Sequence, residues 1–204
     1  MNGKFFDLSK EKQDRIMNAA LKIFAIYGYR HASTDCMVQE AGISKGLLFH
    51  YFENKLGIYS FLYEYSVRFI SLELRGTVDP AQTNLFELTK QIELAKMHAM
   101  KAYPYMQQFL NRSMVEDVSE ALLTIEHMRA NLSDTYEEIY AQVDPETLIP
   151  GTDMEKIHKI LEFTSQGLLQ EHFANATFHP ENFYKEMEEY IELLRIRFMD
   201  HLPR

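Results

Sequence analysis

The sequence of 204 residues contains almost no cysteine and no long apolar run. A single cysteine, Cys36, rules out a disulfide within the chain and a zinc finger. No apolar stretch is long enough to span a membrane, and the first residues lack the apolar core of a signal peptide. These absences predict a cytoplasmic protein with no membrane partner. The small thiol of Cys36 is predicted to fill a core position.

An overall excess of basic residues, which would indicate a general nucleic-acid binder, is missing as well. The formal net charge is −9, but the charges are unevenly distributed. Residues 1–60 hold eight Lys/Arg and six Asp/Glu, a net of +2, which leaves 13 basic and 24 acidic residues, a net of −11. The N-terminal region can therefore meet DNA while the acidic remainder faces away from it.

Strand patterns are also absent, because no stretch alternates convincingly between apolar and polar residues. Apolar residues recur instead at helical spacing, which predicts an all-α chain. Glycine and proline separate the helical stretches. After a frayed arm at residues 1–8, helices are predicted over residues 9–27, 34–40, 45–53, 54–75, 83–102, 104–112, 117–143, 153–175 and 180–201.

The most informative stretch spans residues 41–55. Gly42 can adopt the positive φ that ends one helix, and Ser44 can cap the next. Leu48 and Phe52 lie four residues apart and point inward together. The outer face suits a DNA major groove, because lysine supplies charge, glycine allows close approach and apolar groups can meet thymine methyls. That face comprises Lys45, Gly46, Leu47, Phe49, His50 and Tyr51.

This arrangement is a helix-turn-helix motif over about residues 33–52. Ser33 or Thr34 caps its first helix, and a hydroxyl there can also contact a phosphate. Lys45 and Lys55 are predicted to contact phosphates, whereas Leu47, Phe49 and His50 approach base edges. The predicted DNA-binding residues are Ser33, Thr34, Ser44, Lys45, Gly46, Leu47, Phe49, His50, Tyr51 and Lys55.

The segment resembles the TetR family of transcriptional regulators in the pattern Gly42-Ile43-Ser44-Lys45-Gly46-x-x-Phe49-His50-Tyr51-Phe52-x-x-Lys55. The resemblance extends upstream through Ala19-Ala20-Leu21-x-Ile23-Phe24-x-x-x-Gly28-Tyr29 and Ser33-Thr34. It implies a DNA-binding domain at residues 1–55, joined to a helical ligand-binding and dimerisation domain at residues 56–204. The sequence departs from the family at three positions, where Leu47, Phe49 and Gln39 replace the usual Thr, Tyr and Ala. These differences are expected to affect which operator sequence is bound more than whether DNA is bound.

Methionine and aromatic side chains are dense between residues 97 and 109. They are compatible with ordinary core filling, and also with an adaptable lining for an apolar or amphipathic small molecule. Because TetR relatives generally bind an inducer in this domain, the resemblance implies an effector site. Its predicted lining is Met97, Met100, Tyr103, Met106 and Phe109, with Tyr136, Tyr140, Phe163 and Gln166 from neighbouring helices.

The last two predicted helices carry apolar stripes that can face either their own core or a second subunit. Gly167 lies inside a helix, where glycine costs about 1 kcal/mol relative to alanine, so close packing is a plausible reason for it. The family dimerises through its last two helices, which implies a homodimer here. The predicted interface comprises Ile157, Leu161, Gly167, Leu168, Met187, Ile191, Leu194 and Phe198.

Two short patterns typical of enzymes lack their necessary context. Residues 42–46 match G-x-S-x-G, which needs a preceding strand, and residues 155–158 match E-x-x-H, which needs a second copy for a di-iron site. We therefore predict no catalytic residue, cofactor or metal. The predicted function is a ligand-responsive repressor that binds a palindromic double-stranded DNA operator as a homodimer. The alternative is a helical small-molecule-binding protein or enzyme without a DNA-binding role.

Overall fold

The computed structural model describes residues 3–199, and the chain is all-α in that range, as the sequence predicts. No helix among these residues has the length and apolarity needed to cross a bilayer. Outside the helices, an isolated antiparallel bridge pairs Leu148 with Met199. The α-helices are α1 Lys10–His31, α2 Thr34–Ala41, α3 Lys45–Phe52, α4 Lys55–Thr77, α5 Leu85–Ala102, α6 Met106–Ser113, α7 Ser119–Tyr140, α8 Met154–Ala174 and α9 Pro180–Phe198.

The chain forms two compact units. The first comprises residues up to Ile70 together with Ala99–Leu132, and the second comprises Ser71–His98 together with residues from Ser133 onward. Helices α4, α5 and α7 each contribute residues to both units. The division into domains at residues 1–55 and 56–204 stays a prediction.

Side chains close to the predicted positions begin several helices. Ser44 Oγ accepts a bond from the Leu47 N–H at 3.2 Å, and Asp153 Oδ1 accepts one from the Lys156 N–H at 3.1 Å. Each bond satisfies a peptide N–H that has no partner within its own helix. Asn84 does the same for α5. The beginnings of these helices follow from the local sequence alone.

Helix α1 runs past its predicted end at Tyr27 but is interrupted there. Gly28 has φ 66° and ψ 175°, a conformation outside the helical region. A short turn then continues to His31, and the Ala32 N–H bonds the Gly28 carbonyl at 3.1 Å. Glycine adopts this positive φ without steric cost. At the other end of the chain, α9 ends at Phe198, and the predicted continuation to residue 201 extends outside the described residues.

The prediction of a frayed N-terminal arm is wrong for residues 3–8. Gly3–Asp7 form a 3-10 helix, and the Phe5 side chain is fully buried. Its ring lies 5.0 Å from Phe52, 5.6 Å from Tyr51 and 5.4 Å from Phe61, measured between ring centres. Burying an aromatic ring contributes about 1.5–3 kcal/mol, which offsets part of the entropy lost when the arm is ordered.

Most of the residues predicted to form the dimer interface lie instead in the core of the second unit. Five residues of that set are buried within their own chain, where a partner subunit cannot reach them: Ile157, Leu161, Leu168, Met187 and Ile191. Leu194 and Phe198 are half-buried, and only Gly167 is exposed. Helices α8 and α9 pack against each other, so these stripes serve the intramolecular contact. The assignment of the stripe to a partner was therefore wrong for the five buried residues.

Candidate functional site

Helices α2 and α3 are joined by a tight, well-bonded turn. Gly42 has φ 62° and ψ 41°, and its N–H bonds the Gln39 carbonyl at 3.3 Å. The Ile43 N–H bonds the Val38 carbonyl at 3.1 Å, which completes a Schellman ending of α2. Ser44 then caps α3. The predicted helix-turn-helix is thus present in its expected geometry.

The inner and outer faces of α3 are clearly separated. Leu48 and Phe52 are buried, each with about one hundredth of the residue surface exposed. Eight of the predicted DNA-binding residues in the motif are at least partly accessible. Ser44, Lys45, Gly46 and His50 are exposed, whereas Ser33, Thr34, Leu47 and Phe49 are half-buried. A lysine, a glycine, a histidine and two partly accessible apolar side chains therefore share the outward surface of the motif.

Two residues of the motif lie on the opposite side from the one predicted. Tyr51 is buried, with its ring 5.6 Å from that of Phe5, so its assignment to the outer face was wrong. The Phe5 ring supplies the apolar contact that draws Tyr51 inward. Cys36 is exposed on α2, where the sequence predicted a core position. An eight-residue helix with one narrow buried stripe, Met37 and Ala41, leaves no inner position for it.

The two lysines predicted to contact phosphates have different surroundings. Lys45 Nζ lies 2.8 Å from Asp35 Oδ1 in an exposed ion pair between α3 and α2. Lys55 Nζ instead donates to the Arg30 carbonyl at 3.2 Å and lies 4.8 Å from the centre of the Tyr29 ring. Partial burial lowers the pKa of Lys55. Lys45 is therefore exposed at the surface of the motif, whereas the ammonium of Lys55 is bonded to the end of α1.

The connection from α3 to α4 is unusually tight. Glu53 has φ 68° and ψ −54°, and the Asn54 N–H bonds the Phe52 carbonyl at 2.7 Å, which defines a γ-turn of the rare, strained kind. Asn54 Oδ1 then accepts from the Gly57 N–H at 2.8 Å. A Cβ added to Gly57 would lie 2.1 Å from the Phe52 carbonyl oxygen. Only glycine fits here, and the turn fixes the direction of α3 relative to the start of α4.

The predicted effector-site residues are divided between the two units. Met100, Tyr103, Met106 and Phe109 are buried in the first unit. The ring of Phe109 lies 5.4 Å from that of Tyr59, a typical core contact. The second unit contains the rest of the set: Met97, which is buried, Tyr136 and Tyr140, which are half-buried, and Phe163 and Gln166, which are exposed. Phe163, with 66% of its surface exposed, and Gln166 are therefore not enclosed in this chain.

Tyr103 takes part in a polar network of the first unit. Its hydroxyl donates to Asp14 Oδ1 at 2.6 Å and lies 2.8 Å from the Tyr65 hydroxyl. Lys10 Nζ donates to the Tyr103 hydroxyl at 2.7 Å and pairs with Asp14. Burial, and then the hydrogen bonds with Asp14 and Tyr65, raise the pKa of Tyr103. The hydroxyl thus joins the residue that follows α5 to α1 and α4.

A buried ion pair in the second unit was missed by the sequence reasoning. Lys96 Nζ lies 2.8 Å from Glu93 Oε1, and these side chains are only 14% and 3% exposed. Ser165 donates to the other carboxylate oxygen at 3.1 Å, and the Tyr136 ring centre lies 5.8 Å from Lys96 Nζ. Burial opposes the charge on Lys96, yet Glu93 and Tyr136 raise its pKa overall. The only sequence signal was a pair of opposite charges, three residues apart, within an apolar helix.

The fold and the motif together define an all-α protein with a helix-turn-helix DNA-binding domain. Residues 16–60 match the family described as bacterial regulatory proteins, tetR family. The resemblance predicted from the sequence is confirmed: this N-terminal part is a TetR-family DNA-binding domain, on a chain with the fold of TetR-family transcriptional regulators. No curated protein is similar enough to the chain to match it.

Several solved structures share this fold over most of their length. A TetR family transcriptional regulator from Chloroflexus aurantiacus J-10-fl is 20% identical, with a TM-score of 0.66 over 98% of this chain and 99% of that one. The fatty acid degradation regulator FadR from Bacillus halodurans is 16% identical, with a TM-score of 0.61 over 87% and 96%. The regulator FadR from Bacillus subtilis, solved in complex with stearoyl-CoA, is 15% identical, with a TM-score of 0.59 over 88% and 96%.

Proposed function

We propose that the protein is a homodimeric repressor that releases a palindromic operator when a small molecule binds. The observation that supports this most directly is the division of α3 into a buried inner face and an accessible outer face. The outer face presents Lys45, Gly46 and His50 without any role in the core. A helix of this kind can enter the major groove, which is wide enough to admit it.

Within the proposed interface, each side chain has a distinct task. Lys45 exchanges its partner Asp35 for a phosphate and supplies affinity that does not depend on sequence. His50 is exposed and approaches a base edge, while Leu47 and Phe49 make apolar contacts such as those with a thymine methyl. Ser33, Thr34 and Ser44 bond phosphates from the beginnings of the two helices. Lys55 acts indirectly, through the Arg30 carbonyl.

Selection of binding sites from a random DNA pool tests this proposal. We expect inverted repeats whose half-sites lie about 34–36 Å apart, or a multiple of that distance, because the DNA mirrors the twofold symmetry of a dimer. His50→Ala should reduce the discrimination between bases at one position of the site by about 1–3 kcal/mol. Lys45→Ala should weaken binding to all DNA sequences alike, and it should reduce the slope of log affinity against log salt concentration by about 1. Selected sites without an inverted repeat would contradict the proposal.

The proposed dimer interface is the exposed apolar surface of the last two helices. On α8, Ile160 and Phe163 are 47% and 66% exposed, and on α9, Leu193 and Ile196 are 65% and 62% exposed. Gly167 lies four residues after Phe163 on α8, where an absent side chain allows close approach. Large apolar side chains that are exposed on two helices in mutual contact indicate an interaction site. We infer that a second copy of the chain covers them.

A charge introduced on this surface tests the interface. Leu193→Glu should convert the dimer to a monomer, because a carboxylate buried without a partner costs several kcal/mol. Leu123→Glu is the matched control, since Leu123 is 72% exposed on α7 in the first unit. Sedimentation velocity distinguishes the two states. A Leu193→Glu variant that sediments as a dimer would place the interface elsewhere.

The proposed effector is an amphipathic molecule whose polar end meets the Glu93–Lys96 pair in the second unit. A buried ion pair adds little net stability, so its presence argues for a role other than folding. Lys96 offers a charged donor beside the Tyr136 ring, which suits an acidic group on a ligand with an apolar body. Since the Bacillus subtilis FadR structure contains stearoyl-CoA, that compound is a reasonable first probe.

Titration calorimetry with stearoyl-CoA, with and without operator DNA, tests the coupling. If the ligand lowers operator affinity by a given factor, the operator must lower ligand affinity by the same factor. We expect Lys96→Met to weaken ligand binding. The control Lys159→Met should not, because Lys159 forms only an exposed pair with Glu155. Equal ligand affinities with and without operator would exclude this mechanism for that ligand.

A further inference from the structure

The break in α1 leaves a short segment, residues 29–33, that leads into the helix-turn-helix motif. Gly28 ends the regular helix before it, and Ser33, its last residue, caps α2 through a bond from the Cys36 N–H. The orientation of α2 therefore depends on what holds residues 29–33 in place.

Glu116, in the connection between α6 and α7, holds the beginning of this segment. Its Oε2 accepts a hydrogen bond from the Tyr29 N–H at 2.9 Å. Its Oε1 accepts bonds from the Asp117 and Val118 N–H groups, at 3.1 and 3.2 Å. One half-buried carboxylate thus bonds the peptide groups that precede α7 and the first peptide group after the break in α1.

Two basic side chains hold the same segment from other directions. Lys55 donates to the Arg30 carbonyl, so the segment is bonded through an N–H at one residue and through a carbonyl at the next. The guanidinium of Arg112 lies against Gly28, with its Nε 3.1 Å from where a Cβ would be. The Tyr29 ring packs 5.1 Å from the ring of Tyr59 in the core. Among the described residues, Glu116 bonds the backbone of this segment to the α6–α7 connection, and the exposed Arg30–Asp117 ion pair joins the two through side chains alone.

We propose that Glu116 is a positioning residue for DNA binding, an inference that rests on the operator-binding function proposed above. Glu116 fixes the start of α2, and with it Ser33 and Thr34, relative to the α6–α7 connection. Both carboxylate oxygens are needed as acceptors. In Glu116→Gln one of them is replaced by an amide NH₂, which would then face an N–H donor. A movement of the α6–α7 connection would therefore be transmitted to α2 through this side chain.

Glu116→Gln and Asp117→Asn form a matched pair for the test. Asp117 is the adjacent acidic residue, and it makes an exposed ion pair with Arg30 at 3.3 Å. Glu116→Gln should lower affinity for the selected operator about tenfold or more, as expected for the loss of a hydrogen bond to a charged group. Affinity for random DNA should change much less, because the charges on the outer face of α3 are intact. Asp117→Asn should change neither affinity.

A local measurement separates this role from a general loss of stability. A spin label on Cys36, the single exposed cysteine, reports the mobility of α2 in the absence of DNA. Glu116→Gln should sharpen its spectrum at temperatures where circular dichroism shows a folded protein, and Asp117→Asn should not. In the unsubstituted protein the Tyr29 amide should exchange slowly with solvent. An unprotected Tyr29 amide, an unchanged spectrum or an unchanged operator affinity would each overturn the proposal.

The two proposals fail in different ways. If the unsubstituted protein selects no DNA sequence, the regulatory function is wrong, whatever the label on Cys36 reports. If the unsubstituted protein selects an operator and Glu116→Gln binds it equally well, only the role of Glu116 is wrong.

Discussion

The turn between α3 and α4 makes Gly57 the most demanding position in the DNA-binding motif. A Cβ there would lie 2.1 Å from the Phe52 carbonyl oxygen, whereas ordinary contacts begin near 3.4 Å, so the gap must grow by about 1.3 Å. The obstructing atom belongs to the backbone and cannot rotate away. The same carbonyl already accepts the Asn54 N–H at 2.7 Å, within the γ-turn at Glu53.

We expect Gly57→Ala to lower the free energy of unfolding by about 1–3 kcal/mol, the usual range for overpacking. The higher helix propensity of alanine offsets at most about 1 kcal/mol of this loss, and less in the first turn of a helix. Gly76→Ala is the matched control on the same helix, since no atom lies within 4 Å of its Cβ. It should leave stability unchanged or raise it by up to about 1 kcal/mol.

Urea unfolding followed by circular dichroism measures both variants. Because the proposed dimerisation would make the midpoint depend on protein concentration, all proteins should be compared at one concentration. Any folded Gly57→Ala protein should also lose more affinity for the operator than for random DNA, because α3 has shifted relative to α4. If Gly57→Ala proved as stable as Gly76→Ala, the described packing of this turn would be incorrect.

Three further predictions concern other parts of the chain. Asp35→Asn removes the partner of Lys45, so binding of random DNA, followed by fluorescence anisotropy, should tighten; unchanged binding would mean that Lys45 does not contact phosphate. Glu93→Gln leaves Lys96 buried without a carboxylate and should lower the free energy of unfolding by about 3–5 kcal/mol, whereas a loss below about 1 kcal/mol would indicate a hydrated site. An added Cβ at Gly167 would meet no neighbouring group in its own chain, so Gly167→Ala should weaken the proposed dimer without destabilising the monomer, as sedimentation at a series of concentrations would show.

The helix-turn-helix could be predicted because its determinants are local. Gly42 ends α2 and Ser44 begins α3 through bonds that span only a few residues, so the short pattern carries all the information. The beginnings of α8 at Asp153 and of α9 at Pro180 could be predicted for the same reason. Residues that act within one turn of their own position leave a signature in the sequence.

What could not be predicted depends on distant contacts. Phe5 is ordered only because α3 and α4 present aromatic rings to it, and Tyr51 turns inward toward it. The positive φ of Glu53 has no signature, since such conformations usually occur at glycine or asparagine.

Helix α8 shows the limit of periodicity most clearly. Two apolar stripes run along it at helical spacing, one through Ile157 and Leu161 and another through Ile160 and Phe163. The sequence predicts the first of these stripes, but only the structure shows that it faces the core of its own chain. A pattern with a period of 3.6 residues gives the width of an apolar face and not the identity of what covers it.

The separation of the two faces of α3 has a consequence for the evolution of this protein. Folding of the motif depends on Leu48, Tyr51 and Phe52 and on the bonds at Ser44 and Glu53, whereas Lys45, Gly46 and His50 are exposed. Substitutions at the exposed positions should rarely cost more than about 0.5 kcal/mol of stability. If these exposed positions contact the operator as proposed, its preferred sequence can drift by single substitutions while the scaffold is unchanged, and related chains can diverge to control different genes before their folds diverge.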